Sequence, residues 1–179
     1  MTERVQRLLE CLQERGSIED LGIVIDSIRD VYDLTHVVYF ALSLGSTYML
    51  SSAQGGGRLA GGAGVWRRDA GSMAALSYTD QWTSRYQTEG FARIDPVIEQ
   101  ATISFVPIDW KSVPWDSKKR RQMFREAVDS GVGNQGFTIP IRGPDGQFAV
   151  FTVNKKCSDE SWDRYIAEFR TDFMLIAHF

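Results

Sequence analysis

The stretch from Phe137 to Asn154 constrains the fold of this chain more than any other. Two runs rich in Phe, Ile, Val and Thr, Phe137–Arg142 and Phe148–Asn154, flank the tetrapeptide Gly143-Pro144-Asp145-Gly146. Each turn residue acts differently: proline pre-sets a negative φ, aspartate bonds its own backbone, and glycine takes the left-handed geometry a tight reversal needs. The two runs therefore read as paired antiparallel strands. Directly after them Trp162, Tyr165, Ile166, Phe169, Phe173 and Ile176 recur at helical spacing, which predicts a final amphipathic helix.

The rest of the chain supplies the layers around this hairpin. Val5, Leu8, Leu9 and Leu12 give an amphipathic first helix ended by Gly16, and Ser17 to Asp20 resembles a capping box opening a second. His36 to Leu44, full of Val, Tyr and Phe, reads as a buried strand, and Met73 to Tyr78 as a second. Between them, Ser51 to Ser72 carries Gly55-Gly56-Gly57 and Gly61-Gly62-Ala63-Gly64; it is too permissive for regular structure and reads as a surface loop. No Gly-Lys-Ser/Thr follows it, so a phosphate cradle is unsupported. Ser77 to Asp80 opens a helix that Gly90 stops, Asp95-Pro96 opens another to about Thr102, and Ser117 precedes one running to about Asp129. The Lys118-Lys119-Arg120-Arg121 cluster in that last helix reads as a solvated face. The order of elements predicts an α+β layered domain with a central sheet covered by helices on both faces.

Composition bounds the function. A chain of 179 residues, 43% hydrophobic, is long enough for one well-filled core. A formal charge of −3 argues against nucleic-acid binding by this segment alone. No run approaches the roughly eighteen apolar residues of a membrane span, and the start lacks the layout of a secretory signal, so the expected location is the cytoplasm, with no membrane partner. Cys11 and Cys157 match no metal-ligand spacing and are expected to be reduced.

One constellation points to a ligand. Tyr78, Trp82 and Tyr86 stand four residues apart, so a helix would place all three on one face, and Asp95-Pro96 and Trp110 follow. Each ring has a rigid apolar body with a polar edge able to donate a hydrogen bond. Two readings fit: an ordinary core, or a face for a small amphipathic molecule. Asp95 likewise reads as a simple helix N-cap ahead of proline.

Tyr78-Thr79-Asp80-Gln81-Trp82, Tyr86, Gly90, Asp95-Pro96-Val97, Pro107, Trp110 and Gly136-Phe137-Thr138-Ile139-Pro140 together resemble the autoinducer-binding domain of LuxR-type quorum-sensing receptors. Trp82 lies thirteen residues before Asp95, and Asp95 fifteen before Trp110. The resemblance spans about Val37 to Phe179. It implies an α-β-α sandwich with a mainly antiparallel five-stranded sheet, and an N-acyl-L-homoserine lactone as ligand, with no other cofactor. Trp82 would donate to the lactone carbonyl, Asp95 would accept the ligand's amide N–H, Tyr78 would donate to the acyl carbonyl, and Thr152 would place a hydroxyl near the amide. Trp110, Trp115 and Phe124 or Met123 would wall the lactone end. Tyr39, Ala41, Tyr86, Val97, Ile98, Thr138 and Val150 would line the acyl tail, and Gly136 would allow a close backbone approach. The resemblance further implies a homodimer in which lactone binding completes a labile core, and DNA contact only through a C-terminal helix-turn-helix domain beyond residues 1–179. The competing readings are a hydrolase that cleaves lactone or amide, and a generic small-molecule or protein-interaction module. The sequence holds no Gly-x-Ser-x-Gly elbow to support the first.

Overall fold

The computed structural model describes residues 3–14, 20–43, 57–58, 64–67, 73–143 and 146–178. Helices α1 (Glu3–Glu14) and α2 (Leu21–Val31) lead into strand β1 (His36–Ser43). Strands β2 (Gly57–Arg58), β3 (Gly64–Arg67) and β4 (Met73–Leu76) follow, then helices α3 (Asp80–Thr88) and α4 (Pro96–Ile103). Strand β5 (Ile108–Asp109), helix α5 (Lys118–Asp129), strands β6 (Gln135–Arg142) and β7 (Gln147–Lys155) and helix α6 (Asp159–His178) complete the order.

The strands form one sheet in the order β2-β3-β4-β1-β7-β6-β5, and every pairing is antiparallel. Five strands have four residues or more; the two-residue β2 and β5 extend the ends. The hairpin is present as β6 and β7, with Phe137 opposite Val153 and Thr138 opposite Thr152. At its turn the Gly143 N–H donates to the Gln147 carbonyl at 2.9 Å, and Gly146 adopts φ +75°. Pro144 and Asp145 lie outside the described residues. The other edge of β7 pairs with β1, His36 against Asn154, a contact between residues far apart in sequence.

Around β1, β6 and β7 both faces of the sheet are largely apolar and both are covered. On one face Val37, Phe137, Ile139, Phe151 and Val153 pack against Leu8 of α1, Val24, Ile25 and Ile28 of α2, and Trp162, Phe173 and Ile176 of α6. On the other, Phe40, Phe148 and Val150 meet Val97 and Ala101 of α4, with Ile108 and Val113. Trp110 and Trp115 continue that second layer into a cluster of Trp82, Phe91, Met123, Ala127 and Val132. Strands buried on two sides carry apolar residues at successive positions, because neither face has to be polar.

The expected helix starts are realised as side-chain caps. Thr79 accepts from the Trp82 N–H at 3.2 Å and Ser117 from the Arg120 N–H at 3.1 Å, each satisfying a donor that the first helical turn leaves open. Gly90, at φ +62°, turns the chain after α3. Of the segment expected to lack regular structure, Gly57–Arg58 and Gly64–Arg67 are in fact strands, held by pairing to each other and to β4. Hydrogen bonds to a neighbouring strand outweigh the conformational freedom of glycine there. The remainder of that segment, Ser17–Glu19 of the proposed capping box, and the Cys11 side chain lie outside the described residues. Cys157 is a free thiol. No helix among the described residues is long and apolar enough to cross a membrane.

Candidate ligand-binding site

The second face of the sheet, beneath α3, α4 and α5, gathers most of the residues singled out above. Trp82 is buried on the inner side of α3, with the Tyr86 ring one turn on, at 5.8 Å between centroids. Phe91 stacks on Trp82 at 5.9 Å and meets Tyr86 edge-on at 6.0 Å. Tyr78 corrects the spacing argument, because the cap at Thr79 starts the helix after it rather than before it. It still packs in the same cluster, and its hydroxyl donates to Asn154 Oδ1 on β7 at 2.8 Å. Among the described residues the Trp82 indole N–H makes no hydrogen bond.

Asp95 fulfils its helix-capping role and faces the aromatics at once. Oδ1 accepts from the Val97 N–H at 2.9 Å and the Ile98 N–H at 3.4 Å, capping α4, while Oδ2 accepts from the Tyr86 hydroxyl at 2.8 Å. Burial pushes the Asp95 carboxyl above the usual carboxylate range, and the Tyr86 bond, the two backbone N–H groups and the Arg120 charge pull against it. Burial and the neighbouring Asp95 push both the Tyr78 and Tyr86 hydroxyls up, so both remain protonated donors at neutral pH. Arg120 corrects the solvated-face reading. Lys118 and Lys119 are exposed, but Arg120 reaches back to donate from Nε to the Ile94 carbonyl at 3.0 Å and pairs with Glu99. It thereby ties α5 to the start of α4 beside Asp95.

The sheet contributes a polar spot within this apolar layer. Thr138 and Thr152 are cross-strand neighbours whose hydroxyls lie 2.9 Å apart, and the Trp110 indole N–H donates to Thr138 at 3.0 Å. Trp110 lies directly over Gly136: a Cβ there would come within 2.3 Å of its Cδ2. That is the close approach expected of this glycine. Trp115 donates from its indole N–H to the Trp110 carbonyl at 3.0 Å, and Phe124 packs on Trp115 at 4.7 Å and on Trp110 at 6.5 Å. Met123 is buried in the Trp82 cluster; Val97, Ile98 and Val150 belong to the adjoining one.

Two of the residues expected to line the tail are elsewhere. Tyr39 packs in the cluster beneath α1, α2 and α6, and Ala41 shares its parity on β1, so both project from the opposite face. Phe40 is the β1 residue that packs against the cluster under α4. The error is one residue of parity, and nothing in His36–Ser43 could reveal it, because a strand apolar on both faces carries no alternation. Phe91, Phe148 and Asn154 lie among these residues too, and the sequence did not single them out. For Asn154 a signal existed: a carboxamide near the end of an apolar strand, wholly buried, needs partners, and it has Tyr78 and the Gln135 carbonyl.

The resulting set combines neutral donors on aromatic rings, one carboxylate, two threonine hydroxyls and flanking apolar clusters. Such a set suits a small amphipathic molecule with amide and carbonyl groups at one end. Among the described residues no group of three or more His, Cys, Asp or Glu could hold a metal ion.

Comparison with known proteins agrees with this geometry. Residues 64–179 match the model of the family described as autoinducer binding domain. The transcriptional activator protein RaiR of Rhizobium etli is 34% identical over 110 residues, 62% of this chain and 46% of that protein. The transcriptional activator protein VanR of Vibrio anguillarum is 33% identical over 150 residues, 83% of this chain and 53% of that protein. The chain thus spans about half the length of these relatives. In fold it is similar to the crystal structure of CepR2 from Burkholderia cenocepacia, an N-acylhomoserine-lactone-dependent LuxR family transcription factor (TM-score 0.65, 15% identity, 97% of this chain and 90% of that one). The match is to a ligand-binding domain and the relatives are transcription activators, which leaves the hydrolase reading without support. The chain belongs to the autoinducer binding domain family.

Proposed function

We propose that this domain binds an N-acyl-homoserine lactone on the second face of the sheet, and that binding is coupled to folding, to dimerisation and to DNA contact by a further helix-turn-helix domain of the whole protein. The observation that carries this reading is the meeting of Asp95, Tyr86, Trp82 and Tyr78 on one apolar face. Trp82 supplies an indole N–H with no protein acceptor among the described residues, and it is assigned to the lactone carbonyl. Asp95 is assigned to the ligand's amide N–H, a charge-assisted bond. The Tyr78 hydroxyl, now on Asn154, exchanges that partner for the acyl carbonyl, and Thr152 stands close to the amide. Trp110, Trp115, Met123 and Phe124 wall the lactone ring; Val97, Ile98, Thr138, Val150 and Phe40 accompany the tail, with Tyr86 beside Asp95.

Ligand and fold are linked on this reading. A carboxylate in an apolar setting is costly unless donors surround it, and the ligand's amide adds one. At a hundredfold excess over its dissociation constant a ligand stabilises by about 2.7 kcal/mol. For a domain of this size that raises the melting temperature by roughly 5–10 °C. The test is expression with a panel of lactones of graded tail length, followed by mass spectrometry and a thermal melt of the purified protein. Intact lactone and a raised melting temperature are expected. A melt unmoved by every saturating lactone, with none recovered, overturns the proposal.

A further inference from the structure

One hydroxyl of the site is already engaged by the sheet beneath it. Tyr78 donates to Asn154 Oδ1 at 2.8 Å, and Asn154 stands on β7 with none of its surface exposed. The same carboxamide is held on its other side, where Nδ2 donates to the Gln135 carbonyl of β6 at 3.4 Å. The Asn154 backbone is fixed as well: it pairs with His36 of β1 and Gly136 of β6, and its carbonyl accepts from the Thr35 N–H at 2.9 Å. The Tyr78 ring has a second support, edge-on against the His36 imidazole at 5.2 Å. What the carboxamide adds to that packing is an acceptor for the one phenolic proton.

That proton cannot serve two acceptors at once. A phenol has a single O–H to give. Burial, with the Asp95 charge nearby, pushes the Tyr78 hydroxyl up, so at neutral pH it is a donor and not a phenolate. Resting on the lactone reading above, the acyl carbonyl of the ligand claims the same proton that Asn154 Oδ1 now holds. A carboxamide can turn over, which would aim Nδ2 at the Tyr78 oxygen and release the proton. Turning also removes the Nδ2 bond to the Gln135 carbonyl and sets oxygen against oxygen there. The orientation that satisfies Tyr78 and Gln135 together is the one present, and leaving it means losing a buried hydrogen bond.

We propose that Asn154 is a positioning residue that competes with the lactone for the Tyr78 proton, and so sets how much ligand the domain needs. It acts on the ligand through Tyr78 and steadies the unliganded domain at the expense of the complex. That role has a signature which ordinary core packing lacks: removing the acceptor weakens the fold and tightens binding.

The test measures the affinity of the purified protein for octanoyl- and dodecanoyl-homoserine lactone by titration calorimetry at a temperature where each variant is folded. Asn154→Leu, close in shape but without an acceptor, should melt lower than the wild type and bind the lactone roughly three- to tenfold tighter, the range expected for release of one neutral hydrogen bond. In a Tyr78→Phe background the same substitution should bring no gain. Weaker or unchanged binding by a folded Asn154→Leu protein overturns the assignment, because a merely structural role predicts loss. An equal gain in the Tyr78→Phe background overturns it as well. The wild-type protein supplies an independent measurement should the variant not fold. Octanoyl-homoserine lactone should move the Asn154 side-chain carbonyl carbon resonance upfield, the direction of a lost hydrogen bond, whereas N-octyl-homoserine lactone, which has no acyl carbonyl, should not. The same shift with both ligands, or with neither, counts against Asn154. If no lactone binds the wild-type protein, the lactone reading falls and this assignment with it, a result distinct from binding that Asn154 does not influence.

Discussion

Replacing Gly136 by alanine sets two effects of opposite sign against each other. In a strand interior, alanine is ordinarily favoured over glycine by roughly 0.5–1 kcal/mol, because the unfolded chain has less freedom to lose. Here the added carbon would stand 2.3 Å from Cδ2, 2.5 Å from Cε2 and 2.7 Å from Cε3 of Trp110. Carbon atoms pack at about 3.5–4.0 Å, so the indole has to withdraw by about 1 Å or more. Withdrawal disrupts its bond to Thr138, a contribution of about 1 kcal/mol, and forcing carbon into a filled layer costs about 1–3 kcal/mol. The clash wins, and Gly136→Ala is expected to destabilise by about 1–3 kcal/mol. Urea unfolding followed by far-ultraviolet circular dichroism measures this, and a double-mutant cycle isolates the cause. In a Trp110→Leu background the ring is gone, and Gly136→Ala should become neutral or mildly stabilising. Equal effects in both backgrounds, or a Gly136→Ala protein as stable as the wild type, would refute the reasoning.

Three further substitutions probe the polar groups of the site. Asp95→Asn keeps a good helix cap but removes a buried charge. Because the folded carboxyl is raised above its ordinary 3.8, Asp95 favours the fold below that pH and loses this contribution as pH rises through the folded value, so the variant should match or exceed wild-type stability at neutral pH. Urea melts across the acid range check it, and the advantage should vanish below pH 3.8. Tyr86→Phe deletes the 2.8 Å donor to Asp95 Oδ2 and should cost about 1–3 kcal/mol in the same melts, most at neutral pH, where the carboxylate is charged. Thr152→Val separates the hydroxyl pair on β6 and β7 and should cost about 1 kcal/mol, with the Trp110 bond to Thr138 retained and visible as an unchanged indole N–H resonance in NMR spectra.

Much of the site was legible because its signals are local. Asp95 ahead of proline announces a cap, and it is one; that its second oxygen takes the Tyr86 hydroxyl depends on how α3 folds back, which no spacing rule contains. Thr152 could be placed on the second hairpin strand from sequence, yet its pairing with Thr138 required the register. Arg120 shows the opposite case. Four basic residues in a row read as a solvated face, and only the docking of α5 against the start of α4 turned the third of them inward.

The pairing of β6 with β7, the capping residues and the apolar periodicity of α6 were determined by the chain alone, since each follows from backbone chemistry acting over a few positions. Tertiary structure decided what those local rules leave free. It placed β1 beside β7, and so sent Phe40 toward the site and Tyr39 away from it. It brought Trp110 down on Gly136 and Tyr78 onto Asn154. The physical reason is common to all three: a strand apolar on both sides carries no mark of which face is which, and long-range pairing alone supplies one.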